Sequence, residues 1–266
     1  MDRAASRLRV TSLRALLPLV YPAGTLLVLL GAWEIWVRVG APVAVLPPVS
    51  DVLAAMVVKA PVLMPQALMT LRVIVLGFLI AIAVAIPLAA FMVAWRPFER
   101  SMYPLLIASQ VIPKIAIAPL ILVWFGFTLT SKLLIVFLLA FFPIVIDSVD
   151  GLRALDVRKV QLGKSMGASG FQIFMRFRFP NALPTIFTGL KVGAVLAVTG
   201  AVIAEFISVG DGLGNLIIRA NARLDTVTAF ASVGYLAIMG FAIFYAVGLA
   251  EKLLLSWHVS QRETGA

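Results

Sequence analysis

Residues 161–180 read QLGKSMGASGFQIFMRFRFP and lie between two long apolar runs of the chain. The stretch is rich in basic residues and in glycine, in contrast to the runs on either side. Gly163, Gly167 and Gly170 can supply a bend, because glycine turns sharply without a Cβ penalty. The stretch therefore predicts a folded polar element inserted between two apolar segments.

The wider segment 150–180 predicts two short helices that meet at this bend. Asp150 can cap the first helix and Ser169 can begin the second. We expect Pro180 and Pro184 to interrupt the chain before the next apolar run. Most connections between helices are only ~4–6 residues long, so a segment of this length predicts a function of its own.

The composition places the chain among integral membrane proteins. Of its 266 residues, 62% are hydrophobic and only 13% are charged. A soluble domain is about half apolar and about a quarter charged, so a soluble fold is not expected. The chain has no cysteine, which excludes disulfides, thiolate metal sites and cysteine nucleophiles. The sequence predicts no cofactor.

About six apolar windows are long enough to cross the ~30 Å hydrocarbon core of a bilayer as helices. They are residues 16–39, 68–95, 102–126, 131–148, 184–207 and 231–256. The third window contains Pro104, Pro113 and Pro119, so we expect it to be kinked or broken. In lipid, such a break is tolerated only where neighbouring helices or a cavity satisfy the freed backbone groups. The expected fold is an all-α membrane protein with one transmembrane domain over residues 16–257.

The basic residues predict the orientation of these spans. The net charge is +10, but the basic residues lie between the spans rather than in one stripe, so nucleic-acid binding is not expected. With the N-terminus inside, the inner segments hold fourteen Lys and Arg residues and the outer segments five. This bias predicts that residues 1–15, 150–180 and 258–266 are cytoplasmic. The start of the chain imitates a signal peptide, but its long apolar stretch without a cleavage site favours an uncleaved first span.

The residues alone leave two interpretations of segment 150–180 open. It could be an amphipathic loop held at the membrane surface by anionic lipid. Alternatively, it could dock on a cytoplasmic partner protein whose groove takes the phenylalanines. Gly163-Lys164-Ser165 also matches the end of a Walker A phosphate loop. However, Arg158 stands where that motif needs its first glycine, and no buried strand precedes it, so we expect no ATP site in this chain.

The spacing within this segment resembles the cytoplasmic EAA loop of permease subunits of bacterial ATP-binding-cassette importers. In those loops Glu-Ala-Ala, three residues, a glycine and nine residues precede an Ile-x-Leu-Pro motif. Gly167 matches the glycine, and Phe177 to Pro180 follow in the same register, with Phe in place of Ile and Leu. The triplet Gln161-Leu162-Gly163 replaces Glu-Ala-Ala, so the glutamate that could pair with the ATPase is missing.

Four further stretches resemble the nitrate, sulfonate and taurine branch of that family. They are LPPVSDVL (46–53), TLRVIVLGF (70–78), IPKIAIAPLILVWFG (112–126) and AEFISVGDGLGNLI (204–217). The resemblance implies a type I importer in the bacterial inner membrane, with two permease chains, two cytoplasmic ATP-binding subunits and an external solute-binding protein. The sequence leaves a homodimer and a heterodimer of permease chains open, and the lack of an internal repeat favours the homodimer. It assigns coupling to the ATPase to Arg158, Gln161, Lys164, Gly167, Phe171, Phe174 and Pro180.

Lys114 and Glu205 are candidate residues of the translocation pathway. Lys114 would lie ~20 Å along the third span if that helix were regular, and an ammonium there is costly unless it faces a cavity or a partner. It could attract an anionic solute, with Pro113 and Pro119 opening the helix around it, or it could pair with a carboxylate or carbonyls to hold helices together. Glu205 would lie near the outer mouth, where it could act in gating or in binding-protein contact.

The expected function is therefore the membrane subunit of an ATP-driven importer of a small anion, such as a sulfonate, a nitrate-like ion or a carboxylate. An enzyme is not expected, because His258 is the single histidine and no paired carboxylates lie within the spans. A secondary transporter or channel is the alternative. Secondary transporters usually carry internal inverted repeats, which this sequence does not show.

Overall fold

The computed structural model describes residues 2–40 and 46–255, with side chains from residue 21 onward, and within these ranges it contains helices and connections but no strand. The tail expected at 258–266 lies outside the described residues. The helices are α1 (Asp2–Val39), α2 (Val49–Val58), α3 (Ala60–Ala94), α4 (Arg96–Val111), α5 (Lys114–Phe125), α6 (Leu129–Arg153), α7 (Val157–Ser165), α8 (Gly170–Ile173), α9 (Phe179–Ile207), α10 (Leu213–Ala222) and α11 (Thr226–Leu254). A π-helical turn, Phe174–Arg178, joins α8 to α9.

The described helices confirm an all-α membrane fold. Five helical segments are long and apolar enough to cross a membrane: α1 from Tyr21, α3, α6, the continuous run Gly170–Ile207, and α11. Helices α4 and α5 qualify as a sixth span only together, and they bend by 95° at their junction. The break predicted in the third window is therefore confirmed. Ile112 adopts extended backbone angles, as a residue before proline prefers, and Pro113, the N-cap residue before α5, has no N–H to donate.

The second span begins earlier than the sequence window predicted. Helix α3 starts at Ala60 rather than at residue 68, because Lys59 ends α2 and Pro61 occupies the first turn of the next helix. Proline is well suited to that position, since the first turn needs no backbone N–H donor. The short helices α2 and α10 lie between spans and were not predicted.

The packing of α6 against α9 is the most extensive helix contact in the described part of the chain. Gly189 and Gly193 allow this close approach. A Cβ added at Gly189 would lie 2.8 Å from the Asp147 Cβ and 3.0 Å from the Pro143 carbonyl oxygen. Small residues at such contacts are typical of helices in lipid, where van der Waals packing drives association. The two glycines therefore serve packing within the chain.

Polar contacts between helices gather at the two ends of the bundle. At one end, Lys59 pairs with Asp225 and Lys132 donates to the Asp211 carbonyl. At the other end, Arg153 pairs with Glu99 and the Tyr103 hydroxyl donates to Asp150 at 2.7 Å. Two further ion pairs lie on the spans: Glu34 with Arg38 at i,i+4, and Lys191 with Glu251. These groupings agree with helices that alternate in direction.

Enlarging Gly189 should separate α6 from α9. We expect Gly189→Leu to lower the free energy of unfolding by about 1–3 kcal/mol, because a side chain there must displace Asp147 or the Pro143 carbonyl. Thermal unfolding of the detergent-solubilised protein measures the change. Gly31→Leu is the control, since a Cβ at Gly31 meets no atom within 4 Å. Equal shifts in the two variants would contradict the assigned contact.

Candidate functional site

The segment from Ala154 to Arg178, which we call the coupling segment, joins α6 to α9. Its first helix is capped by Asp156 and not by Asp150 as the sequence predicted. The Asp156 Oδ1 accepts the Arg158 backbone N–H at 2.8 Å, whereas Asp150 lies within the last turn of α6. Apolar residues before position 153 extend the helix of the fourth span by more than a turn, which removes Asp150 from the cap.

The bend of the coupling segment depends on one glycine rather than three. Gly167 has φ +78°, and the bonds Gly167 N–H to Lys164 O and Ala168 N–H to Gly163 O close the end of α7. This is a Schellman cap, in which the residue after the helix takes a left-handed conformation that favours glycine. Gly163 instead lies inside α7 and is buried against Ile173, and Gly170 begins α8.

Ser169 starts the second helix, as predicted, through a capping box with Gln172. The expected interruption at Pro180 and Pro184 is wrong. The chain continues from α8 through the π-helical turn into α9, with Pro180 in its first turn and Pro184 inside it. A proline in a helix removes one backbone donor, and a π-helical turn directly before it absorbs the altered spacing. The second helix of the coupling segment is therefore continuous with a span.

The coupling segment exposes an apolar surface among basic side chains. Leu162, Met166 and Phe171 are exposed, and Phe171 keeps 73% of its surface accessible. The remaining predicted contacts, Arg158, Gln161 and Lys164, are also exposed. Phe174 differs, because it is half-buried against the core, with its ring 6.2 Å from that of Phe179. The structure therefore places Phe171, and not Phe174, where a partner could bind it.

Lys114 is the first residue of α5, directly after the break in the third span. Its Nζ lies 4.8 Å from the centroid of the Phe142 ring, a cation–π distance. Pro113, Phe142 and Val192 help to line a cavity of about 330 Å³ beside it. The 95° bend invalidates the depth calculated for a regular helix. Within residues 21–40 and 46–255, the Lys114 ammonium has no ion pair or hydrogen bond. Pro119 lies exposed further along α5.

Glu205 lies in the interior, apart from the Lys114 cavity, with 0% of its surface accessible. Its Oε2 accepts the Thr70 hydroxyl at 3.0 Å and the Gly214 N–H at 2.8 Å. Thr70 in turn accepts the Leu213 N–H at 2.8 Å. A buried carboxylate needs such partners, because removing its charge from water is costly. Glu205 thus connects α9 to α3 and to the start of α10, a role that the sequence did not reveal.

A second polar cluster, at the Lys59 end of the bundle, was missed by the sequence reasoning. Lys59 Nζ lies 3.0 Å from Asp225 Oδ2, and Asp225 caps α11 by accepting the Thr228 N–H at 3.0 Å. The Thr228 hydrogen bonds, followed by Lys59, hold the pKa of Asp225 below its usual range, so this carboxylate stays ionised at neutral pH. The sequence pattern that could have revealed this cap is Asp225 three residues before Thr228, at the start of a helix.

These features define a multi-pass helical membrane protein with a structured loop at one end and polar groups within its spans. Among the described residues no group of His, Cys, Asp and Glu could hold a metal ion. The chain belongs to the family described as "binding-protein-dependent transport system inner membrane component", which matches residues 73–255. It is thus a permease of the ATP-binding-cassette importer class, a transport component of the bacterial inner membrane and not an enzyme. This family implies ATP-binding subunits and a solute-binding protein as partners.

Three relatives illustrate the range of solutes in the family. A formylaminopyrimidine transport permease, ThiX, of Halalkalibacterium halodurans is 35% identical over 88% of this chain and 94% of its own length. The taurine transport permease TauC of Escherichia coli is 29% identical over 70% of this chain and 67% of its own. A putative aliphatic sulfonates transport permease, SsuC, of Bacillus subtilis is 30% identical over 70% of this chain and 67% of its own.

The conformation of the loop before α10 should depend on Gly212, the glycine that faces Glu205. Gly212 has φ +126°, and a Cβ there would overlap the Glu205 carboxylate. We expect Gly212→Ala to lower stability by roughly 2–4 kcal/mol, since it adds steric overlap and a displaced buried charge to backbone strain. Gly210→Ala is the matched control, because Gly210 has φ +142° but open space around it. Thermal unfolding that is equal for the two variants would show that Glu205 plays no part.

Proposed function

We propose that this chain forms half of the solute passage of an ATP-driven importer and that the coupling segment binds the ATP-binding subunit. The single observation that carries the proposal is the exposed surface of Leu162, Met166 and Phe171 beside Arg158 and Lys164. Exposed large apolar side chains on a polar loop favour a protein contact, because their exposure to water is unfavourable and a partner groove would bury them. Gln161 stands in this surface in place of the acidic residue of the related loops.

The proposed orientation places the coupling segment and both termini in the cytoplasm. The inner segments then carry fourteen basic residues against five outside. This orientation requires successive spans to run in opposite directions. The polar contacts at the two ends of the bundle support that alternation. Pro180, in the first turn of α9, would transmit a displacement of the coupling segment directly into a span.

The proposed passage lies at the break between α4 and α5. Lys114 faces the cavity there, and Pro113 leaves the backbone open beside it. Among the described residues Lys114 has no carboxylate partner, which favours a solute with a negatively charged group. The taurine and aliphatic-sulfonate relatives are named for solutes that carry a sulfonate. We propose a small sulfonate-like anion as the solute, delivered by an external binding protein. A second copy of this chain would supply the other half of the passage.

A second candidate solute is a small nitrogen heterocycle. The formylaminopyrimidine permease matches more of this chain, at higher identity, than the taurine permease does. The Phe142 ring in the cavity wall offers a face on which a planar ring can stack. In either case Glu205 would act at a distance from the solute, by holding the loop before α10 at the outer end of the passage.

The coupling assignment is tested with Phe171→Ser. We expect this variant to weaken binding of the ATP-binding subunit at least about tenfold, because a buried phenylalanine contributes ~1.5–3 kcal/mol. Co-purification from mild detergent and ATP-driven uptake both measure the loss. Leu253→Ser is the control, since Leu253 is 72% exposed near the same end of the bundle but lies outside the coupling segment. Equal recovery of the subunit with wild type and Phe171→Ser would overturn the assignment.

The solute class is tested with Lys114→Gln. If Lys114 binds the sulfonate group of the solute, we expect the KM of taurine uptake to rise about tenfold, which corresponds to ~1.4 kcal/mol, while Lys114→Arg retains most of the affinity. Lys132→Gln removes a lysine that contacts the Asp211 carbonyl instead and serves as the control. Uptake of a formylaminopyrimidine measured in parallel separates the two candidates, because a neutral ring should depend on Phe142 rather than on Lys114. An unchanged taurine KM in Lys114→Gln would exclude the anion site.

A further inference from the structure

A small cleft lies between α3, the start of α6 and the turn before α10, at the Lys59 end of the bundle. Its volume is about 250 Å³, and its polar and aromatic lining consists of Arg72, Phe127, Thr128, Lys132 and Asp211. The connection from α5 to α6 contributes to this lining, and α5 begins at Lys114, ~17 Å away at 1.5 Å per residue. The cleft therefore lies about one helix length from the Lys114 cavity. Neither the proposed coupling nor the proposed passage uses Arg72 or Asp211.

Two opposite charges line this cleft without forming an ion pair. Within residues 21–40 and 46–255, neither the Arg72 guanidinium nor the Asp211 carboxylate has an ion-pair partner, in each other or elsewhere. Both residues are exposed. Lys132 is the third charged residue of the cleft, and its ammonium already donates to the Asp211 carbonyl at 3.2 Å. The cleft thus presents a guanidinium and a carboxylate that are both available to a small molecule.

The turn that carries Asp211 is held on two sides, so its carboxylate has a defined position. Lys132 on α6 donates to the Asp211 carbonyl, and the Gly212 N–H donates to Gln66 Oε1 at 2.6 Å. Gln66 lies on α3, less than two helical turns before Arg72. The helix that supplies the guanidinium therefore also fixes the turn that supplies the carboxylate.

We propose that this cleft is an entry site for a small zwitterion of the aminosulfonate class, with Arg72 receiving the sulfonate and Asp211 the ammonium group. The proposal rests on the function proposed above, which places the cleft on the outer side and binds a sulfonate at Lys114. A guanidinium offers several N–H donors to an oxyanion, and a carboxylate accepts charge-assisted hydrogen bonds from an ammonium. Phe127, which is 63% exposed, adds an apolar wall for the carbon chain between the two groups.

The presence of both charges favours a zwitterion over a simple anion or a simple cation. A simple anion would be attracted by Arg72 and Lys132 but repelled by Asp211, and a simple cation would meet the reverse. A molecule with both charges can pair with Arg72 and Asp211 at once, and it has no existing ion pair to displace. The cleft would therefore select an aminosulfonate against an alkanesulfonate before either solute reaches Lys114.

The test measures binding of taurine to the permease assembled with its ATP-binding subunits in nanodiscs, with the solute-binding protein omitted. Saturation-transfer NMR provides the readout, because it detects weakly bound small molecules. The permease carries Lys114→Gln, so that the inner site does not contribute. We expect Arg72→Gln and Asp211→Asn each to weaken taurine binding about tenfold, because each removes a charged hydrogen-bonding partner. Ethanesulfonate, which lacks the ammonium group, should bind more weakly after Arg72→Gln but not after Asp211→Asn.

Arg223→Gln and Asp51→Asn are the matched controls, because both residues are exposed and lie outside this cleft. Neither control should change taurine binding. Thermal unfolding is measured for every variant. If Arg72→Gln and Asp211→Asn lower the unfolding temperature and leave taurine binding unchanged, the two side chains serve the fold only, which overturns the entry site.

The remaining outcomes separate this inference from the proposed function. Absence of taurine binding in the Lys114→Gln assembly overturns the entry site, and the dependence of taurine uptake on Lys114 still tests the proposed function by itself. Loss of taurine binding in both cleft variants, in a transporter whose wild type takes up no taurine with its binding protein, supports the entry site and overturns the proposed solute. Equal effects of Asp211→Asn on taurine and ethanesulfonate overturn the assignment of the ammonium group to Asp211.

Discussion

The close approach of α6 and α9 is the contact on which the other features of the structure depend. A Cβ at Gly151 would lie 2.9 Å from the Ala182 carbonyl oxygen, and one at Gly200 would lie 3.0 Å from the Val136 Cα. These two contacts bracket most of the length of α9. Lipid tails are as apolar as leucine, so burial of apolar surface contributes little to the association of these helices. Tight van der Waals packing must drive their association instead. The coupling segment begins at the end of α6 and ends at the start of α9. Because these two helices pack against each other, both ends of the segment are anchored in the same packed unit.

The second constraint is the proline break in the third span. Pro113 cannot donate a backbone hydrogen bond, so the helix stops at Val111 and resumes at Lys114 in a new direction. A break of this kind is tolerable in a membrane only beside a cavity or a neighbouring helix, and both are present. The same break brings the Lys114 ammonium next to the Phe142 ring. Pro113, which cannot continue a helix, thus accounts both for the break beside the cavity and for the position of the Lys114 ammonium next to it.

The sequence predicted the spans and the bend better than it predicted the helix ends. Long apolar windows and the Pro113 break are local properties, and the structure confirms them. The cap at Asp150 was wrong because an amphipathic pattern does not mark where one helix ends and the next begins, and Asp156 serves instead. The buried role of Glu205 was also beyond prediction. It depends on Thr70, which is 135 positions away along the chain, and no periodicity reports a contact of that range.

The continuity of the helix through Pro180, where an interruption was expected, has the largest consequence for the mechanism. An interruption there would have placed a hinge between the coupling segment and α9, and a hinge would dissipate a push from an ATPase. The structure has continuous helix from Gly170 to Ile207, which at 1.5 Å per residue is ~56 Å of unbroken backbone. Near its far end this helix carries Glu205, whose carboxylate holds the loop that leads to α10. If the coupling segment binds the ATPase as proposed, its motion reaches the opposite face through one helix.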